Sequence, residues 1–310
     1  MNILVTGGAG YVGAELVFRL SQLPEVKRIV VYDNLSSGNY NLFISSSNRI
    51  TSNNVEFVMG DLLDSRKLKK ALKGIDVVYH LAAQVDSPQR SIDSHYFEQA
   101  NNWGTAELCY AVEESESVQK LVYLSSTGVY GFSNKEEAMT TSSRLNPRSF
   151  YPISKMRGED HVKRLMDLKK AVIIRAGNVY GYSPTIRFDS VINRFLFDAN
   201  FNNKLQIHGS GKQHRPYVNL KKVIKTLSHL ALNDVPGDVY NLVDGNVKVL
   251  DLVDIFKELY PDLEFIFINQ HLELRNLKVS TDLKLAQYID YEDYDLKQEI
   301  TEVKDKSFAF

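Results

Sequence analysis

The sequence predicts an α/β fold built on a doubly wound, Rossmann-type parallel sheet, and three observations carry that reading. Apolar strand-like runs alternate with helical patterns through the first 180 residues. These runs are continuous in Val, Ile and Leu, as expected for strands covered on both faces. The chain opens on N-I-L-V-T-G-G-A-G-Y-V-G (2–13), a strand that passes through three spaced glycines into an amphipathic stretch. In such a sheet, ligands bind in the crevice at the carboxyl ends of the strands.

Strands are expected at 2–6, 27–33, 55–59, 75–81, 119–125 and 171–176, with helices near 12–22, 64–73, 92–116 and 151–168. Beyond residue 180 the texture changes: polar loop residues at 182–189, a helix at 190–200, then short strands in less regular alternation. The expected division is a dinucleotide-binding domain over 1–181 and a smaller C-terminal α/β substrate domain over 182–310. A segment near 215–243 is expected to rejoin the first domain, with 217–233 supplying a strand and a helix.

The 310 residues are 44% hydrophobic and 24% charged, with a net charge of −1. That near-neutral balance argues against nucleic acid or an anionic membrane as the main partner. No apolar run approaches the ~18–20 residues needed to span a bilayer. The first strand begins at residue 2 with no charged leader, so a signal peptide is not expected and a cytoplasmic location fits. The single cysteine, Cys109, excludes an intrachain disulfide and reads as a buried thiol in a helix. None of the seven histidines forms a ligand pattern, so no metal site is expected. His80 ends a strand and reads as buried or cleft-lining, while His208 and His214 border a loop and receive no role.

The glycines point to a dinucleotide. Gly7 allows the tight turn off the strand, Gly10 lets the backbone approach a pyrophosphate, and Gly13 removes a side chain where helix and strand pack closely. The helix N-terminus then faces the phosphates, which brings Tyr11 and Val12 into the expected cofactor contacts. Asp33 ends the second strand, ~20 residues further on, with Asn34 beside it. A carboxylate there accepts hydrogen bonds from ribose hydroxyls and repels a 2′-phosphate, which favours NAD over NADP.

Tyr151 and Lys155 stand four apart at a helix start, on one face and about 6 Å apart along the axis. A nearby ammonium favours phenolate, drawing a group with a reference pKa near 10 towards working pH, as a general acid/base at a carbinol requires. At the end of the fifth strand, L-S-S-T-G-V-Y-G (124–131) presents hydroxyls at the carboxyl edge of the sheet. There Ser126 is placed to hydrogen-bond a substrate oxygen and stabilise a developing alkoxide. A strand-ending turn would use the same residue types.

Together these residues resemble the extended short-chain dehydrogenase/reductase superfamily, in particular its nucleotide-sugar epimerase/dehydratase branch. The resemblance runs over T-G-G-A-G-Y-V-G (6–13), Asp33, G-D-L-L-D (60–64), H-L-A-A-Q (80–84), N-N-W-G-T (101–105), S-S-T-G-V-Y-G (125–131), Y-P-I-S-K (151–155) and R-A-G-N-V-Y-G (175–181). It implies that Asp61 and Leu62 flank the adenine, that Leu81, Ala82 and Ala83 line the cofactor cleft, and that Asn101 sits near the nicotinamide. It also implies Tyr151 as catalytic acid/base and Lys155 on the nicotinamide ribose. Ser126 would meet the substrate hydroxyl with Thr127 beside it, and Asn178 would contact a diphosphate. Arg215, in H-G-S-G-K-Q-H-R-P-Y-V-N (208–219), and Arg275, in E-L-R-N-L-K-V-S-T-D (273–282), resemble the family's two phosphate-binding arginines. Guanidinium forks suit diphosphate oxygens. A homodimer through the 92–116 and 151–168 helices is a further expectation, with Trp103, Leu108, Val162 and Leu165 available for packing.

The resemblance also bears on the reaction. A 4,6-dehydratase of the family carries an acidic pair, or a Ser-Glu pair, directly after the catalytic hydroxyl; here those positions are Thr127 and Gly128. Decarboxylases of the group tend to carry a Glu before Val-Tyr-Gly, which Gly128 removes, and the Cys/Lys groups of 3,5-epimerases have no counterpart. The expected activity is therefore an NAD-dependent 4-epimerase acting on a nucleotide-diphosphate sugar, a UDP-hexose or a derivative. The alternatives are a 4-keto-nucleotide-sugar reductase, another dehydratase of the group, or a non-catalytic NAD sensor on the same fold.

Overall fold

The computed structural model describes residues 1–40, 54–85, 93–132, 137–188, 190–270, 274–281 and 283–308. Of the sequence expectations, the start of the 92–116 helix, the end of the 182–189 loop and the two ends of 273–282 lie outside the described residues.

Seven parallel strands form the main sheet: β1 (Asn2–Thr6), β2 (Arg28–Asp33), β3 (Val55–Met59), β4 (Val77–His80), β5 (Lys120–Ser126), β6 (Val172–Ala176) and a late strand, Val239–Leu242. Their spatial order is β3-β2-β1-β4-β5-β6 and then Val239–Leu242. The order reverses beside β1, which pairs with both β2 and β4 (Ile3 opposite Ile29 and Val77). That switch point opens a crevice above the carboxyl ends of β1 and β4.

The continuous apolar runs are explained by two cores, one on each face. Ile3, Val5, Ile29 and Val31 pack against α1 (Tyr11–Ser21) and the helix Leu220–Leu232, while Leu4, Val30 and Tyr32 point the other way, into the core with Leu68, Leu108 and Val112. A period of two along each strand feeds both layers, so no position can be polar without cost.

Two expected helices are interrupted. The 92–116 stretch consists of Ser94–Phe97, a π-helical turn at Glu98–Trp103, and Gly104–Glu113. The 151–168 stretch is Phe150–Lys163 followed by a short turn, Met166–Lys169, which Lys170 ends with a left-handed φ of 45°. Leu108, Val162 and Leu165, expected to be available at a dimer face, are fully buried within the chain. Trp103 is exposed as expected, and the other exposed apolar groups described on these stretches are Tyr96, Tyr110, Phe150 and Leu168.

The second half also departs from expectation. Helix Leu220–Leu232 does return to the main sheet, through Val223, Leu227 and Leu230. The strand before it does not. His214–Asn219 pairs instead with Asn178–Tyr180 and Gly245–Lys248 in a separate three-stranded sheet, and Val239–Leu242 rejoins the main one. Lys204–His208 and Glu264–Ile268 pair in a further two-stranded sheet, and a third core gathers Ile192, Leu196, Leu205, Ile207, Leu252 and Phe256.

Candidate active site

A cavity of about 1390 Å³ runs along the switch-point crevice. At one end Gly7 turns the chain off β1 with φ +69°, and its amide donates to the Tyr32 carbonyl at 2.9 Å. A Cβ on Gly13 would overlap the Gly7 carbonyl oxygen and come within 2.7 Å of the Gly8 Cα. Gly10 caps α1 with no side-chain hydrogen bond, which leaves first-turn amides for an anion. Tyr11 and Val12 begin that turn and line the cavity. The Tyr11 hydroxyl is committed to the Gly181 carbonyl at 2.6 Å, so any phosphate contact falls to its backbone amide. Two more bonds tie this loop to the second half: Ser183 Oγ donates to the Tyr11 carbonyl (3.2 Å) and Thr185 Oγ1 to the Gly10 carbonyl (3.1 Å).

Asp33 is held by backbone amides on both oxygens, Ala9 N–H at 3.0 Å and Leu35 N–H at 2.8 Å. Asn34 Nδ2 donates to Asp61 Oδ2 at 2.9 Å, and the Tyr32 hydroxyl to the Asp61 carbonyl at 2.7 Å. With Leu62 they form one wall, and Leu81, Ala82 and Ala83 continue it. An uncapped helix start, a glycine cradle too tight for any side chain and an anchored carboxylate fit an NAD-type dinucleotide.

Asn101 does not line this cavity. It is fully buried in the π-helical turn, where its carboxamide accepts from the Gln84 amide at 2.8 Å and donates to the Gln84 carbonyl (2.8 Å) and Ser154 Oγ (2.9 Å). It braces the cleft wall from behind. The extra residue of a π-turn is what turns a side chain inward mid-helix, and strand/helix periodicity gives no sign of it.

At the other end, Ser126 closes β5. Its Oγ accepts the Gly128 amide at 3.0 Å, which leaves its proton to donate elsewhere. Thr127 is buried and does not line the cavity: it opens the short 3-10 turn Thr127–Tyr130 that Ser126 caps, and the turn carries its side chain into the protein. Tyr151 stands in the first turn of Phe150–Lys163 and lines the cavity, with Lys155 one turn on. The Lys155 ammonium lies 4.0 Å from the centre of the Tyr123 ring and is almost wholly buried. Burial pulls its pKa down to about 7, with Glu159 pulling the other way. His80 stacks on Tyr123 (5.2 Å between centroids) and is bonded through Nδ1 to Thr6 Oγ1 (2.8 Å) and through Nε2 to Thr105 Oγ1 (2.9 Å). Burial first, and then Lys155, hold His80 neutral and well below its ordinary pKa.

Asn178, Arg215 and Arg275 complete the far wall. Asn178 Nδ2 is committed to the Pro216 carbonyl at 2.9 Å. Burial lowers the pKa of both arginines. For Arg275 it reaches about 10, with Arg215 as the second cause and Tyr151 opposing. Arg275 Nε is buried without a hydrogen-bond partner. His208 and His214 stand outside the lining; His214 Nδ1 lies 3.3 Å from Asn276 Oδ1.

Residues 3–242 match the NAD dependent epimerase/dehydratase family. The chain belongs to that family. It is thereby an NAD-dependent enzyme of the extended short-chain dehydrogenase/reductase type. Among epimerase/dehydratase relatives, a dTDP-D-glucose 4,6-dehydratase of Mus musculus is 32% identical over 83% of this chain and 72% of its own. A putative UDP-glucose 4-epimerase of Methanocaldococcus jannaschii is 29% identical over 97% of this chain and 96% of its own. The fold matches that of a UDP-glucuronic acid 4-epimerase from Bacillus cereus, solved with UDP-glucuronic acid and NAD, at a TM-score of 0.85 and 23% identity over 98% of each chain.

Sequence reasoning missed one feature of this epimerase/dehydratase site. Behind Ser126 and Lys155, Arg175 and Glu159 form a buried fork: Nη2 to Oε2 at 2.6 Å and Nε to Oε1 at 2.9 Å. Ser125 Oγ donates to Glu159 at 2.6 Å, Arg175 Nη1 to the Tyr130 hydroxyl at 3.0 Å, and that hydroxyl to Asn241 Oδ1 at 2.6 Å. The signal was the Glu one turn after Lys155 together with the Arg that opens R-A-G-N-V-Y-G. Arg148 and Arg187, which also line the cavity, carried no signal.

Proposed function

We propose that the protein is an NAD-dependent nucleotide-sugar 4-epimerase acting on a UDP-hexose or a derivative. The observation that carries this reading is the convergence of Ser126, Tyr151 and Lys155 in the cavity that starts at the glycine loop, with a glycine at position 128. Residues 1–181, with the 215–243 return, would hold the cofactor, and 182–310 the sugar nucleotide.

Tyr151 takes the proton of the C4 hydroxyl and gives it back after the ring has turned its other face. Ser126 donates its free proton to the same oxygen and stabilises the charge that develops there. Lys155, held against Tyr123, supplies the local positive charge. NAD, held by the glycine loop and Asp33, would supply a hydride acceptor and donor for C4, with no net oxidation. Dehydration needs an acid and a base beside the catalytic hydroxyl. Thr127 is buried out of the cavity and Gly128 has no side chain, which weighs against the activity named for the 32%-identical relative. A homodimer through the Trp103, Tyr110 and Phe150 face, working in the cytoplasm, completes the reading.

The test is to release and identify the bound nucleotide, then follow the anomeric protons of UDP-, GDP- and dTDP-sugars by NMR. Co-purifying NAD and a new 4-epimer without added coenzyme are expected, with the 4-epimer lost and the NAD kept in Tyr151→Phe. Consumption of added NADH with a 4-keto sugar would make it a reductase. Loss of the C6 hydroxyl would make it a dehydratase, and no turnover with intact NAD binding would leave a sensor.

A further inference from the structure

Position 128 shows what Arg275 addresses. A Cβ built on Gly128 would lie 3.2 Å from Ser126 Oγ, 3.2 Å from the Pro152 Cβ and 3.3 Å from Arg275 Nη1. The guanidinium and the catalytic hydroxyl thus flank one point, which the glycine leaves open. Arg275 makes only a long contact there, Nη1 to the Gly128 carbonyl at 3.5 Å, and its buried Nε has no partner. Among the described residues no carboxylate pairs with it. Among the described residues the carboxylates lining the cavity are Asp33 and Asp61, at the glycine-loop end, whereas Arg215 and Tyr151 are the charged or titratable groups that act on Arg275.

In a nucleotide sugar the diphosphate hangs from C1, across the ring from C4. If the C4 hydroxyl meets Ser126 and Tyr151, a group flanking the same point faces the substituents of C3 and C5, the neighbours of C4. A neutral hydroxyl compensates a desolvated guanidinium poorly. A carboxylate matches its fork with two charge-assisted hydrogen bonds.

We propose that Arg275 is a specificity-determining residue that binds a carboxylate on C5 of the sugar, so that the substrate is a nucleoside-diphosphate hexuronate. Arg215 is left to the diphosphate, which revises the expectation that both arginines hold it. The glycine at 128 is part of the device, because an acidic side chain there would pair with Arg275 and occupy the carboxylate's place. The inference rests on the epimerase reading for the position of C4.

The experiment measures binding of UDP, UDP-glucose and UDP-glucuronate to NAD-loaded protein by calorimetry, for the wild type, Arg275→Met, Arg275→Lys and Gly128→Asp. The wild type is expected to prefer UDP-glucuronate over UDP-glucose by on the order of 30-fold, the size of a charged hydrogen-bonded pair. Arg275→Met should abolish that preference and leave UDP and UDP-glucose within about threefold of wild type, with Arg275→Lys between. Gly128→Asp should mimic the loss with the arginine intact, which guards against an Arg275 variant that fails to fold. Equal weakening of all three ligands in Arg275→Met would make Arg275 a diphosphate ligand and overturn the proposal. So would a wild type that does not bind UDP-glucuronate or shows no preference for it. An Arg275-dependent preference without C4 inversion would overturn the epimerase reading and keep the carboxylate site.

Discussion

The Arg175–Glu159 fork offers a quantitative test of how the candidate catalytic edge at Ser126 and Lys155 is held. Its side chains are 3% and 0% exposed, so neither charge can fall back on water. Arg175→Met leaves Glu159 with the Ser125 hydroxyl and, at 3.7 Å, the partly exposed Lys163 ammonium. Glu159→Gln leaves Arg175 charged beside a neutral amide. Removing one partner of a buried pair costs about 3–5 kcal/mol. At about 2 °C per kcal/mol for a large domain, each single variant should melt roughly 6–10 °C below wild type. The double variant removes both charges and should melt no lower than the worse single one, because most of the single-variant cost is an uncompensated ion. Thermal scans of the four proteins in one buffer read this directly. If the double variant loses the sum of the two single shifts, the residues act independently and the argument fails. Since Ser125 precedes Ser126 and Glu159 follows Lys155 by one turn, the single variants should also lose kcat more than KM.

Three further outcomes follow from the site. Gly13→Val forces a side chain onto the Gly7 carbonyl, so the purified variant should carry no nucleotide when its heat-released supernatant is assayed for NAD. Lys155 titrates near 7 in the folded protein and near 10.5 when unfolded, so the unfolded chain binds the extra proton between those values. Ligand-free stability should therefore rise with pH across that window, by up to about 1.4 kcal/mol per pH unit from this group, and denaturant titrations of Lys155→Met should lack that component. Thr185→Val removes the hydroxyl bonded to the Gly10 carbonyl and should shorten the residence time of bound NAD, read by its exchange against labelled nucleotide.

Much of this was legible in the sequence because the dominant signals are local. The six expected strands fall within a residue or two of those observed, since a strand buried on both faces reads as a nearly continuous apolar run. The glycine loop, Asp33, Tyr151 and Lys155 line one cavity, a convergence that their spacing along the chain already suggested. What escaped depends on tertiary contact. Asn101 belongs to a turn whose hydrogen-bond register no periodicity reports. Thr127 sits beside Ser126 in the chain yet faces the other way. The strand at 214–219 has the composition of a sheet member and joins a different sheet, a choice made by its partners Asn178–Tyr180 and Gly245–Lys248. Arg175 and Glu159 are 16 residues apart and meet only when helix Phe150–Lys163 docks on β5 and β6.

The bonds from Gly181, Ser183 and Thr185 to the start of α1 have a consequence for how the enzyme is used. They tie the glycine loop and the start of α1 to the second half of the chain through the Tyr11 hydroxyl and the Gly10 and Tyr11 carbonyls. A coenzyme seated against a loop so tied should leave slowly, which the exchange measurement on Thr185→Val reads. On the 4-epimerase reading proposed above, the oxidising equivalent would be recovered at the end of every cycle, so that one bound NAD would serve many turnovers.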